Sequence, residues 1–178
     1  MNLPAEIQLI SCDYLKKVTQ LNGAIDDDMI RPFITVAQDL HLEKYLGTDL
    51  SDYIKTNRSS LAGDYLVLFQ KHIVKVLAWW TVVEVLPHLY VKVDNGSLVM
   101  RTSEDTAQIS ESDFTRTVEN ARQKAINYTD KMIRWLCHHP LPEYESNTDE
   151  DQRPIRSVSR VNGLVTNTLP KIPLWQQP

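Results

Sequence analysis

The sequence is poor in the residues on which many small proteins build chemistry or staples. It has two cysteines, Cys12 and Cys137, near opposite ends of 178 residues and in no metal-ligand spacing. That argues against a disulfide-dense scaffold and a cysteine-based zinc site; a reduced, intracellularly assembled protein is expected, with a single long-range bridge left open. Five glycines are too few and too scattered for a phosphate-cradling loop, and no serine or cysteine stands in a nucleophile-elbow context. Asn2, Pro4 and Glu6 interrupt the start, so no secretory signal is expected. The longest uncharged apolar run, Val76 to Val83, is far shorter than the ~20 residues of a membrane span, so no membrane partner is expected.

What is present is ordinary in amount and uneven in placement. Hydrophobic residues make up 42% and charged residues 24%, values of a globular chain with one domain and appendages. Residues 1–151 hold all 23 acids and 15 bases, a net charge of −8. Residues 152–178 hold no acid and four bases, Arg153, Arg156, Arg160 and Lys171. An acidic body therefore ends in a basic tail, and Pro154, Pro170, Pro173 and Pro178 oppose helix there.

The body reads as helices. Ser11 can cap a short helix through Leu15 and Val18 that Asn22 and Gly23 stop. Asp26, Asp27 and Asp28 place negative charge at the start of the next, which carries Ile30, Phe33, Ile34, Ala37 and Leu40 at helical spacing. Pro32 fits the first turn of a helix, which would move the regular start to Arg31. Gly47 ends this segment, Thr48 or Asp49 caps a short helix, and Thr56 to Ser60 reads as a loop. Asp64 to Leu86 is apolar on nearly every side and must be covered all round, with Pro87 as its stop.

After Pro87 the pattern alternates. Leu89–Val93 and Leu98–Arg101 flank Asn95-Gly96, the strongest short signal for a type I′ hairpin turn. Such a turn pairs Val93 with Leu98 and Val91 with Met100, all four on one face that has to rest on something. Ser110-Glu111-Ser112-Asp113 then opens a last helix from Glu111 to Cys137, with Phe114, Val118, Ala121, Ala125, Tyr128, Met132 and Trp135 as its seam. The expected fold is mainly α: a bundle of four to five helices over residues 1–145, one inserted β-hairpin at about 89–101, and an extended C-terminal tail over 146–178.

Candidate chemistry has plainer readings. Three consecutive aspartates point in different directions on a helix and serve its dipole better than a cation. Cys137-His138-His139 are adjacent and lack a second ligand pair. Trp79-Trp80 lie in the most apolar helix and read as core rather than a stacking platform. His41, His72 and His88 are scattered. The four tail cations are a modest phosphate footprint and suit an acidic protein surface better. No catalytic residue, metal site or cofactor is expected.

Asp26-Asp27-Asp28-Met29-Ile30-Arg31-Pro32-Phe33-Ile34, Ala37-Gln38-Asp39-Leu40-His41-Leu42 and Tyr45-Leu46-Gly47-Thr48-Asp49-Leu50 stand ahead of the apolar helix, the Asp94-Asn95-Gly96 turn and Pro142-Glu143-Tyr144. This order resembles the head-tail connector (adaptor, or neck ring) proteins of tailed double-stranded DNA phages, closest to those of crAss-like and related phages, over about residues 10–145. The resemblance implies a structural virion protein and no enzyme. It implies a homo-oligomeric ring, commonly of twelve, that is assembled in the host cytoplasm and placed in the virion neck between capsid and tail. Such a ring would contact the portal protein and other neck or tail proteins and would pass double-stranded DNA without sequence-specific binding during genome packaging and ejection. Val91, Val93, Leu98 and Met100 on the hairpin and Arg153, Arg156, Arg160 and Lys171 in the tail are the candidate interface residues. An acid-lined channel would repel phosphates and let DNA slide. The alternative is a helical protein-binding module or regulator whose tail folds on a partner.

Overall fold

The computed structural model describes residues 7–21, 25–94, 97–100, 110–145, 154 and 155, with the backbone alone for 91–94 and 97–100. Among these residues the protein is mainly helical. Helix α1 (Cys12–Val18) is capped by Ser11, whose side chain accepts from the Tyr14 N–H. Helix α2 (Asp27–Ala37) is capped by Asp26, whose carboxylate accepts from the Asp28 N–H at 3.3 Å, so the aspartate cluster does serve a helix start. The start is Asp27 and not Arg31. Pro32 therefore lies inside α2, without an N–H for the Asp28 carbonyl. The capped first turn and the burial of Ile30, Ile34 and Ala37 carry the helix through it.

A π-helical turn, Gln38–Leu42, joins α2 to α3 (Glu43–Leu46). The wider turn advances the buried face by one residue, so Gln38 and Leu42 point inward while Leu40 is 61% exposed. That corrects the expectation that Leu40 continues the apolar stripe. Gly47, at φ 79°, ends α3 with its N–H on the Glu43 carbonyl, and its own carbonyl accepts from Ser51 of α4 (Thr48–Thr56). The cap of α4 is thus this glycine rather than Thr48 or Asp49, because left-handed backbone suits glycine.

The central helix comprises α5 (Gly63–Leu68), a second π-turn at Phe69–Ile73, and α6 (Val74–Tyr90). By length and composition Gly63–Tyr90 could cross a membrane, yet half of its most apolar 18-residue window is buried inside the protein. Pro87 does not stop it. The last turn continues to Tyr90, held by ring contacts of His88 with Phe33 at 4.5 Å and Tyr90 with Phe114 at 4.2 Å. Leu89 and Tyr90 consequently belong to the helix, and the first strand begins at Val91.

Strands β1 (Val91–Asp94) and β2 (Ser97–Met100) pair antiparallel with Val91 opposite Met100 and Val93 opposite Leu98. Helix α7 (Glu111–His138) follows, capped by Ser110, which accepts from the Asp113 N–H at 3.1 Å, and the one-turn α8 (Pro142–Glu145) closes the described body. Contacts at both ends, Tyr90 with Phe114 and His72 with Trp135, make α7 antiparallel to α6. Phe33 with His88 and His41 with Glu84 do the same for α2. Of the expected seam, Ala121, Ala125 and Met132 are buried, joined by Thr129, Ile133 and Leu136, whereas Phe114, Val118, Tyr128 and Trp135 lie at its margins. Small Ala121, Ala125 and Thr129 let α7 approach α6 closely, and the Trp80 indole N–H donates to Thr129 Oγ1 across that contact at 3.0 Å.

Candidate functional site

The hairpin grows directly out of the last turn of α6, so the most deeply packed helix carries the element expected to meet neighbours. Among the described residues its sheet has two strands, and none flanks them. Val91 and Val93 stand on β1, opposite Met100 and Leu98 on β2. Asn95 and Gly96 lie outside the described residues, as do Arg153, Arg156, Arg160 and Lys171. The root of the tail is described. The Ile155 N–H donates to the Lys44 carbonyl at 2.8 Å, near the end of α3, where a helix leaves carbonyls without intrahelical partners.

Beside that anchor is a polar cluster that periodicity alone does not reveal. His41, in the first π-turn, stacks on Trp80 with centroids 4.0 Å apart and rings 2° from parallel. Its Nε2 lies 2.7 Å from Glu84 Oε1, and its Nδ1 is buried without a hydrogen-bond partner. An imidazolium would bury an unpaired N–H there. Burial accordingly lowers the pKa of His41, although the Glu84 carboxylate pulls the other way. The Lys44 ammonium lies over the rings of Tyr45 and Trp80 at 5.0 and 5.8 Å, and burial lowers its pKa too. These groups tie α2, α3 and α6 together.

A second polar device holds the N-terminal segment. Gln38 is 2% exposed; its Oε1 accepts from the Leu9 N–H at 2.7 Å and its Nε2 donates to the Ile7 carbonyl at 3.1 Å. One side-chain amide thereby replaces a neighbouring strand. Gln8 donates to the Arg31 carbonyl, and Arg58 donates to the Gln8 carbonyl at 2.5 Å. Between these residues and α1 lies an open groove of about 390 Å³, lined among others by Cys12, Asp13, Asp27, Arg31 and Arg58. Lys16 pairs with Asp27 at 2.6 Å beside it.

The remaining candidates are spread apart. Trp80 is buried and Trp79 half-buried, with the Lys124 ammonium 4.2 Å from its ring centroid. Cys12 is buried, Cys137 is exposed, and both are free thiols. His139 stacks on Trp135 at 4.1 Å. Among the described residues no group of three or more His, Cys, Asp or Glu side chains is placed to hold a metal ion.

A family model matches residues 38–153, from the buried Gln38 through α8 to the edge of the tail. The chain belongs to DUF6712, a family of unknown function. The matched span begins within the first π-turn and includes the His41–Glu84 contact, the central helix, the hairpin and α7. It ends just before the tail anchor at Ile155. No curated protein and no solved structure matches the chain.

Proposed function

We propose that this protein is a structural subunit, a head-tail connector of a tailed double-stranded DNA phage, and that its work is assembly rather than catalysis. The observation that carries the reading is the two-stranded ladder mounted on the end of the central helix. An isolated hairpin is marginal in water, and its outer edges present unpaired N–H and C=O groups. Strands or loops of neighbouring subunits would satisfy those groups, and Val91, Val93, Leu98 and Met100 would set the register. A heterologous contact of this kind, repeated by rotation, closes into a ring. The resemblance in residue order supports twelve copies beneath a portal, extending the channel for DNA and joining capsid to tail. The tail, with Arg153, Arg156, Arg160 and Lys171, would reach an acidic surface from its root at Lys44.

The test is the particle mass of the full chain, alone and mixed with its portal protein, measured by sedimentation and by electron microscopy. Ring-sized particles are expected for the natural sequence. Val93→Asp combined with Leu98→Asp should abolish them without loss of helical circular dichroism. A protein that stays monomeric with portal present would overturn the connector reading and favour a regulator that folds its tail on one partner.

A further inference from the structure

One face of the bundle carries charge opposite to that of the body as a whole. Lys71 and Lys75 stand one turn apart on the outer side of the central helix, with Trp79 in line after them. On α7, Lys124, Lys131 and Trp135 fall on one stripe at helical spacing. Two contacts fuse the stripes into a single face: the Lys124 ammonium lies 4.2 Å from the centre of the Trp79 ring, and His72 meets Trp135 at 5.4 Å. The four lysines are exposed, and none forms an ion pair with a described residue. Neither stripe includes a carboxylate. Burial lowers the pKa of His72, and the ammonium groups of Lys75 and Lys71 lower it further.

Like charges gathered this way repel one another, and an acidic partner removes the cost. The rings are already covered by the chain's own groups, Trp79 by Lys124 and Trp135 by His139, so ammonium groups rather than stacking surfaces are on offer. That favours carboxylates over the bases of a nucleic acid. The chain itself carries such a partner in Glu145, Asp149, Glu150 and Asp151. Of the described residues on either side of that stretch, those of α8 pack on α4 and on Tyr65 of α5, whose hydroxyl donates to Glu143, and Ile155 is bonded to Lys44 of α3.

We infer that the lysine face of α6 and α7 docks the acidic segment 145–151 of a second copy, a head-to-tail contact between subunits. The inference rests on the assembly reading above and supplies one of its contacts.

The probe is a synthetic peptide of residues 145–152, titrated into the full chain at low salt with tryptophan fluorescence as the signal. Binding should weaken at least about tenfold in Lys71→Glu/Lys75→Glu/Lys131→Glu, and should fall between ~50 and ~300 mM salt. The neutral set Lys71→Gln/Lys75→Gln/Lys131→Gln should weaken it less, and unchanged circular dichroism shows that both variants fold. Equal binding to natural and reversed chains, or none, overturns the inference whatever the particle mass. Peptide binding by a chain that never assembles would overturn the contact between subunits together with the ring, whereas rings that persist in the reversed variant would overturn this contact alone. An oligothymidylate that binds the face more tightly than the peptide also overturns the inference.

Discussion

Replacing Gln38 with methionine removes two hydrogen bonds while nearly preserving side-chain volume. The Ile7 carbonyl belongs to an exposed residue and can turn to water. The Leu9 N–H belongs to a residue that is 1% exposed, so it is left with no partner. Stranding one buried backbone donor costs about 1–3 kcal/mol, whereas loss of a partner to water is far cheaper. The expected destabilisation is therefore ~2 kcal/mol, close to a 1 M fall in urea midpoint for a slope of about 2 kcal/mol/M. Amide exchange at Leu9 and Ile10 should accelerate by about tenfold or more, because the segment opens locally before the bundle unfolds. Exchange along α7 should be slowed or hastened only as far as global stability changes. A midpoint within ~0.2 M of the natural protein, with Leu9 still protected, would refute the role assigned to this amide.

The two π-turn histidines make stability fall with acid. Burial lowers the pKa of His41 and His72 below their unfolded values, so the unfolded chain binds the extra protons first. The histidine contribution is complete well above about pH 6.5 and is lost as the pH drops through it, less steeply for the more solvent-screened His72 than for His41. Urea midpoints measured between about pH 8 and 5.5 should decline, and His41→Gln should flatten the slope; a rise on acidification would contradict the assignment. Trp80→Ala should cost about 3–5 kcal/mol through the cavity beside Thr129, against ~1–2 kcal/mol for Trp80→Phe, read by denaturant unfolding. Cys137 should react with a thiol reagent in the native state, while Cys12, buried and with its pKa raised by that burial and by Asp27, should react only as the chain unfolds. Equal rates for the two thiols would contradict the placement of α1.

Much of the helical framework could be read because its signals are local. Ser11, Asp26 and Ser110 each bond a backbone N–H two or three residues on, and those offsets are visible in one dimension. Pro32 and Pro87 misled the boundaries, since a proline weighs on one turn while packing acts on a whole helix. Leu40 falls off the expected stripe for a different reason. A π-turn inserts one residue into a 3.6-residue period, and composition offers no sign of it. The partners of the polar groups were hidden altogether: Gln38 reaches Leu9, His41 reaches Glu84, and Ile155 reaches Lys44 across 29, 43 and 111 positions. Such pairs become neighbours only after the helices dock. The lysine face was obscured likewise, because its two stripes are separated in sequence by the hairpin.

The most direct check on assembly as this chain's purpose is its position in a purified phage particle, determined by electron microscopy of the capsid vertex. The account predicts a closed ring of this chain between portal and tail, with the hairpin of each subunit in contact with a neighbouring chain. Density for the neck that excludes this fold, or a hairpin that touches only its own bundle, would contradict it.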